Sequence, residues 1–227
     1  MSGHTEHAFE TAIEVTLLAA GGYQMRQPAD YDETLALFPS DVIGFLKDSQ
    51  LARWQQLETL LGTRTQVTVL EALVKELEIK GALHVLRHGF KCYGKTLRLA
   101  YFRPNSGMNP EAAAKYAHNR LTITRQVNFA SVLKRPDGKS KRCIIDVTLA
   151  VNGLPVVTVE LKNPLTGQPA SEAIYQYQHD RDERDRLFAF KQRALVHFAV
   201  DPDEAWMTTR LKGRETVFLP FNRGHAH

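Results

Sequence analysis

Residues Arg142–Pro164 read RCIIDVTLAVNGLPVVTVELKNP, and the pairing of this stretch decides the fold. Two runs of β-branched and aliphatic residues flank Asn152-Gly153, a dipeptide that favours a tight hairpin, so two antiparallel strands are expected. Side chains two apart on a strand share a face, which sets Glu160 beside Lys162 in a run that otherwise reads as buried. Loop length decides what stands across from them. A two-residue loop puts Asp146 opposite Val159 and scatters polar residues over both faces. A three-residue loop, Asn152 to Leu154, puts Asp146 opposite Glu160 and Thr148 opposite Thr158. The second register sorts the faces and is the one expected. Ile145, Val147, Leu149 and Val151 then join Val157, Val159 and Leu161 on a hydrocarbon side, while Asp146, Glu160 and Lys162 gather on the other.

Two carboxylates on neighbouring strands repel unless a cation lies between them, and hard oxygen ligands suit Mg²⁺ or Mn²⁺. A lysine beside such a pair can orient an attacking water while the metal stabilises charge on a phosphate oxygen. The chemistry expected is phosphodiester hydrolysis. The plainer alternative is a surface ion pair between Lys162 and one carboxylate, which contributes little.

An Asp, a short hairpin and then Glu-x-Lys resembles the motif of the PD-(D/E)XK nuclease superfamily. The longer stretch VNGLPVVTVELKNPLTGQ resembles the amino-terminal nuclease domain of the restriction (R) subunit of type I restriction enzymes. So do FETAIEVTLLAAGGY, YFRPNSGMNP, RQVNF, AIYQYQHDRD, LVHFAVDPDEAWMTTRL and TVFLPFNRG, so the likeness spans nearly the whole chain. The ELKNP context is far more specific than a bare D…ExK. This resemblance implies a restriction-endonuclease-like fold and Mg²⁺-dependent DNA cleavage, with Mn²⁺ able to substitute. It makes Asp146 and Glu160 metal ligands and Lys162 the catalytic lysine. It adds Glu10, on the first helix, as a further contributor to the metal site, with Glu14 one turn away as its rival. Gln176 matches the glutamine of a Gln-x-x-x-Tyr pattern, although position 180 is Asp. Gln176 is therefore a candidate contact to DNA or to the lysine, and the tyrosine's role stays unassigned. Ile145 stands where the superfamily has the proline of "PD"; the literal Pro136-Asp137 lies in the turn-like RPDGK and is rejected. In the resembled enzymes ATP belongs to motor domains further along the polypeptide, and site recognition to methylation and specificity subunits. Because the sequence ends at FNRGHAH, it is expected to be a fragment of a longer motor-containing chain.

Outward from the hairpin, helical periodicity dominates residues 1 to about 95 and strand patterns dominate about 96–223, within one nuclease domain over 1–227. Helices are expected in HAFETAIEVTLLAAGGY, PSDVIGFLKDS, QLARWQQLETLLG and TQVTVLEALVKELEIKGALHVLRH. Strands are expected in KTLRLAYF, RLTITRQVNF, RCIIDVTLAV, LPVVTVELK, ALVHFAVD, AWMTTRL and ETVFLPF, with one helix around PASEAIYQYQHDRDERDR. The class expected is α/β (mixed α+β), with a central mixed β-sheet flanked by helices.

At 227 residues, 43% apolar and 24% charged, the composition is that of an ordinary globular protein. No apolar run is long enough to span a bilayer and MSGHTEHAFE lacks a secretion signal, so a cytoplasmic address is expected. Cys92 and Cys143 are neither a disulfide framework nor a metal knuckle. Twenty-nine Lys and Arg against 25 Asp and Glu leave only +4, but Lys134, Arg135, Lys139, Lys141 and Arg142 crowd one turn around a single Asp. Those five are expected to contact the backbone of double-stranded DNA. GFKCYGKT satisfies the pattern of a phosphate loop, yet a helix precedes it and a strand follows, the reverse of what that loop needs, so turn plus strand is the better reading. His84 and His88, spaced i, i+4, lack a third ligand and read as ordinary helix histidines. A non-catalytic DNA-docking or assembly domain with the same fold is the rival function.

Overall fold

The computed structural model describes residues 2–105, 108–134, 140–163 and 169–222, with the side chains of 2–6, 131–134 and 140–142 outside the description. Helix α1 (Ser2–Ala20) stops at Gly21-Gly22 and leads into strand β1 (Tyr23–Arg26). Four helices follow: α2 (Pro39–Ser49), α3 (Leu51–Leu61), α4 (Thr65–Lys80) and α5 (Ala82–His88). After them come β2 (Phe90–Cys92), β3 (Lys95–Leu97), α6 (Pro110–Ala117), β4 (Leu121–Lys134), β5 (Ser140–Val151) and β6 (Leu154–Leu161). Helix α7 (Ala170–His179) and strands β7 (Val196–Val200), β8 (Ala205–Thr208) and β9 (Leu219–Pro220) complete the order. Seven strands make one mixed sheet in the order β1-β4-β5-β6-β7-β8-β9, with β1∥β4 and β6∥β7 the parallel pairs.

The β5–β6 hairpin reconciles the two registers. Val151 pairs Leu154 across a two-residue loop, but a bulge past Leu149 inserts one extra residue on β6, and Thr148 then pairs Thr158 and Val147 pairs Val159. The loop is therefore shorter than the expected three residues, while the pairing beside Asp146 and Glu160 is the expected one. Asn152 and Gly153 take left-handed φ of 51° and 84°, as a two-residue hairpin turn requires. Asn152 is fully buried: its Oδ1 accepts from Arg120 N–H at 2.6 Å and its Nδ2 donates to Leu99 O at 2.8 Å. Gly153 touches the start of α2, where an added Cβ would lie 2.5 Å from Phe38 O. Only glycine fits there.

Three apolar clusters hold the layers. One joins α2–α5 to β2, β3 and Leu154 around Trp54, Phe45 and Leu73. A second packs Tyr177 of α7 and Phe188 against Val127, Phe129 and Ile145. A third packs Phe9, Ile13 and Leu17 of α1 on Ile123, Val147 and Leu161. Ile145 thus leaves the face it was expected to share with Val147. The cause lies across the ladder, where Gln126 has φ of 53° inside β4 although Arg125↔Val147 and Val127↔Ile145 pair in unbroken register. Such a conformation costs a non-glycine residue about 1–2 kcal/mol, and here it marks the place where buried side chains change sides.

Some local expectations fail for plain reasons. Gly81, at φ 86°, splits the long expected helix into α4 and α5. Helix α6, capped by the Asn109 side chain with Pro110 at its first position, was missed in a stretch without apolar periodicity, and so was the four-residue β1. GFKCYGKT is a hairpin turning at Tyr93-Gly94, both with positive φ, not a phosphate loop.

Candidate active site

The β5–β6 ladder ends at Val147↔Val159, and past that point Leu161 N–H donates to Asp146 Oδ2 at 2.8 Å. Strand pairing that opens in this way leaves room for side chains between the strands. Asp146 and Glu160 meet there within hydrogen-bonding reach of one another. Asp146 is half-buried and Glu160 is 1% exposed. Burial, reinforced by the neighbouring Asp146 charge, pushes the Glu160 carboxyl up to about 8 against the opposing pull of Arg181.

Arg181 follows α7 directly. Its Nε and Nη2 lie 2.7 and 2.5 Å from Glu160 Oε1, Nη2 also donates to Ile144 O at 2.9 Å, and the guanidinium stacks over Phe129 at 5.3 Å. The same face of α7 supplies Tyr177, whose hydroxyl shares Thr158 Oγ1 (2.9 Å) with His197 Nδ1 (2.8 Å). Burial pushes the His197 imidazole down to about 4, so this layer beneath Glu160 is neutral at pH 7.

On the other side, α1 delivers Glu10, buried at 4% exposure and close enough to Asp146 for their charges to repel. Arg125 Nε and Nη2 donate to Glu10 Oε2 at 3.0 and 2.6 Å, and Arg125 Nη1 reaches Glu14 at 3.2 Å. Gln126 Nε2 donates to Glu10 Oε1 at 2.7 Å and to Asp146 Oδ1 at 3.4 Å. Glu10, Glu14, Arg125 and Gln126, with His7 and Arg26, line a cleft of about 450 Å³, and Asp146 is not part of its wall. Burial raises the Glu10 carboxyl despite Arg125.

Lys162, which the plainer alternative would set in a surface ion pair, is instead 7% exposed, with its backbone N–H donating to Val200 O at 2.9 Å. At that end of β6 the parallel neighbour β7 continues the pairing, with Leu161 opposite Val200. Gln176 sits half-buried on α7, and its side-chain carbonyl oxygen is buried without a donor. That oxygen can accept from a cation such as a lysine, whereas a phosphate oxygen could be met only by the N–H donors of the same amide. Of the basic turn, Arg135 and Lys139 and the side chains of Lys134, Lys141 and Arg142 lie outside the described residues. The His84 and His88 rings on α5 are tilted 42° to one another with centroids 4.7 Å apart; among the described residues no group of three or more His, Cys, Asp or Glu is placed to hold a metal.

A family model described as "Type I restriction enzyme R protein N terminus" matches residues 4–216. The chain belongs to that family. No curated protein matches it significantly. As the N-terminal region of a type I restriction enzyme R subunit, it carries the mixed α/β architecture expected from its sequence. Among the described residues, no helix is long and apolar enough to cross a membrane.

Whether this R-subunit region could hold a divalent metal is a question of donors and charge. Asp146, Glu160, Glu10 and Glu14 set four carboxylates against the guanidiniums of Arg125 and Arg181. Two carboxylates in mutual reach fit one hard dication held by Asp146 and Glu160, whose binding would displace the proton that burial favours on Glu160. Glu10 lies beside Asp146 with both its oxygens hydrogen-bonded, Oε2 by Arg125 and Oε1 by Gln126. Sequence reasoning gave no role to Arg181, Arg125 or Gln126. Their signals were present, since all three sit in the stretches RQVNF and AIYQYQHDRD, but nothing local says which carboxylate each one reaches.

Proposed function

We propose that this domain is the DNA-cleaving part of its R subunit, a Mg²⁺-dependent PD-(D/E)XK endonuclease in which Mn²⁺ substitutes. The observation that carries the reading is the meeting of Asp146 and Glu160 where β5 and β6 part. The metal, when bound, supplies Lewis-acid stabilisation of charge on the scissile phosphate and lowers the pKa of a water. Asp146, its Oδ2 fixed by Leu161 N–H, and Glu160, fixed by Arg181, hold that ion. Lys162 orients the attacking water and offsets developing charge. Glu10 stands behind Asp146 as support. Lys134, Arg135, Lys139, Lys141 and Arg142 neutralise DNA phosphates, and Gln176 positions DNA or Lys162. In the intact enzyme ATP is used by separate motor domains, the methylation and specificity subunits select the site, and the assembly works in the cytoplasm.

One observation favours the rival reading, a DNA-docking domain without cleavage: Arg181 already gives Glu160 a cationic partner. Plasmid cleavage separates the two. A reconstituted R-subunit complex carrying Lys162→Met is expected to lose Mg²⁺-dependent cleavage of supercoiled plasmid and to retain ATP turnover. Cleavage near the unsubstituted rate would favour the docking reading or a different lysine.

A further inference from the structure

The Gln126 backbone is an anomaly inside a regular ladder. Its φ of 53° occurs at no bulge, since β4 and β5 keep one register from Leu121↔Val151 through Asn128↔Ile144. Left-handed backbone at a non-glycine residue persists where the surroundings over-determine it, and such outliers cluster at functional sites. The conformation has a visible product. In a flat strand Arg125 and Gln126 would point to opposite faces; here both consecutive side chains reach Glu10, one to each oxygen. The Gln126 amide then has its second hydrogen aimed at Asp146 Oδ1, 3.4 Å away. One NH₂ group thus spans two carboxylates that repel each other.

The geometry points to Gln126 as a positioning residue that couples the buried Glu10 to Asp146. It fixes the Oδ1 side of that carboxylate as Leu161 N–H fixes the Oδ2 side. An aspartate bonded at both oxygens cannot swing about its χ2 torsion, so it presents its remaining lone pairs in one direction before any cation arrives. The left-handed backbone is what places the amide there; a glutamine in ordinary strand geometry would point away from one of the two acids. Glu10 acts through this amide rather than as a ligand, which explains why a buried acid on α1 is kept with both oxygens occupied.

This inference rests on the metal reading of Asp146 and Glu160, and the test separates the two. Mn²⁺ affinity and thermal midpoint are measured on the 227-residue chain with Gln126 unchanged, with Gln126→Ala and with Gln126→Gly. Outer partners of metal-holding carboxylates typically change affinity by about 10-fold to 100-fold. Gln126, lying at the exposed mouth of the site, is expected near the low end, about 10-fold weaker in both variants. Glycine accepts positive φ freely, so Gln126→Gly should melt at or above Gln126→Ala while binding Mn²⁺ no better. If Gln126→Gly binds Mn²⁺ like the unsubstituted chain, the amide does not position Asp146 and the inference fails alone. Unfolding of Gln126→Gly would also overturn it, by showing that the amide holds the fold. An unsubstituted chain that binds no Mn²⁺ overturns the metal reading and the inference with it.

Discussion

Arg181 sets two nitrogens on a single oxygen of Glu160, at 2.7 and 2.5 Å, in a pocket where both side chains are almost wholly buried. One oxygen is thereby saturated and the other is left toward Asp146. Desolvating such a pair is costly, and the Coulombic return depends on how completely the remaining donors are used. Arg181 also donates from the same Nη2 to Ile144 O and lays its face over Phe129. The carboxyl is nonetheless pushed up rather than down, so burial outweighs the arginine.

Replacing Arg181 with methionine is therefore expected to cost about 3 kcal/mol, the low end for breaking a buried pair, because Glu160 can take up a proton instead of standing charged and alone. Urea unfolding at pH 7 measures this. Saturating Mn²⁺ should recover part of the loss if the cation enters beside Glu160; an equal loss with and without Mn²⁺ would contradict that placement.

The raised Glu160 carboxyl makes a signed prediction about pH. Between the ordinary 4.5 and about 8 the folded chain binds more protons than the unfolded one at this group, so stability falls as pH rises through that window. His197, pushed from 6.5 down to about 4, works the other way: the unfolded chain binds the extra proton, so stability rises with pH across that range. The two oppose each other below about 6.5. From about 6.5 to 8 only Glu160 of this pair remains, and its contribution is a decline of up to about 1.4 kcal/mol per pH unit without metal. Chemical unfolding of the metal-free chain and of Glu160→Gln at these pH values should show the decline reduced in the variant.

Gly153→Ala should destabilise by roughly 1–3 kcal/mol, since a Cβ at φ 84° is strained and would meet Phe38 O and Val42 N at 2.5 and 2.8 Å. The thermal midpoint checks it. A neutral substitution would mean that the turn is not fixed against α2.

Lys162 lies within the fold, and its stem is expected to contribute packing. Lys162→Met, which keeps most of that stem, should unfold within about 1 kcal/mol of the unsubstituted chain, and Lys162→Ala should lie roughly 1–2 kcal/mol lower. Equal stabilities for the two would show that the stem packs against nothing that matters.

Much of this arrangement was legible because strand faces have period two and helix faces period 3.6. The hairpin at Asn152-Gly153, the pairing of Thr148 with Thr158, and α2 as Pro39–Ser49 all follow from local pattern and turn chemistry. The bulge on β6 does not, because a bulge changes pairing without leaving a distinctive composition, and the correct site register was reached through the wrong loop length. The side-switch at Gln126 is likewise invisible: a glutamine in a strand pattern gives no sign of positive φ, so Ile145 was assigned to the wrong face. The burial of Lys162 and the parallel pairing of β6 with β7 were both beyond any local window, since residues 157–161 meet residues 196–200. Arg181 could be quoted as part of a motif but not assigned, since only the packing of α7 across the sheet brings it to Glu160.

The central claim, that Asp146 and Glu160 together hold a divalent cation, is tested most directly by counting bound Mn²⁺ by electron paramagnetic resonance on the unsubstituted chain and on Asp146→Ala. The account predicts Mn²⁺ bound to the unsubstituted chain and loss of that binding in Asp146→Ala while the fold is kept. Binding that survives Asp146→Ala unchanged, or an unsubstituted chain that binds no Mn²⁺, would contradict it.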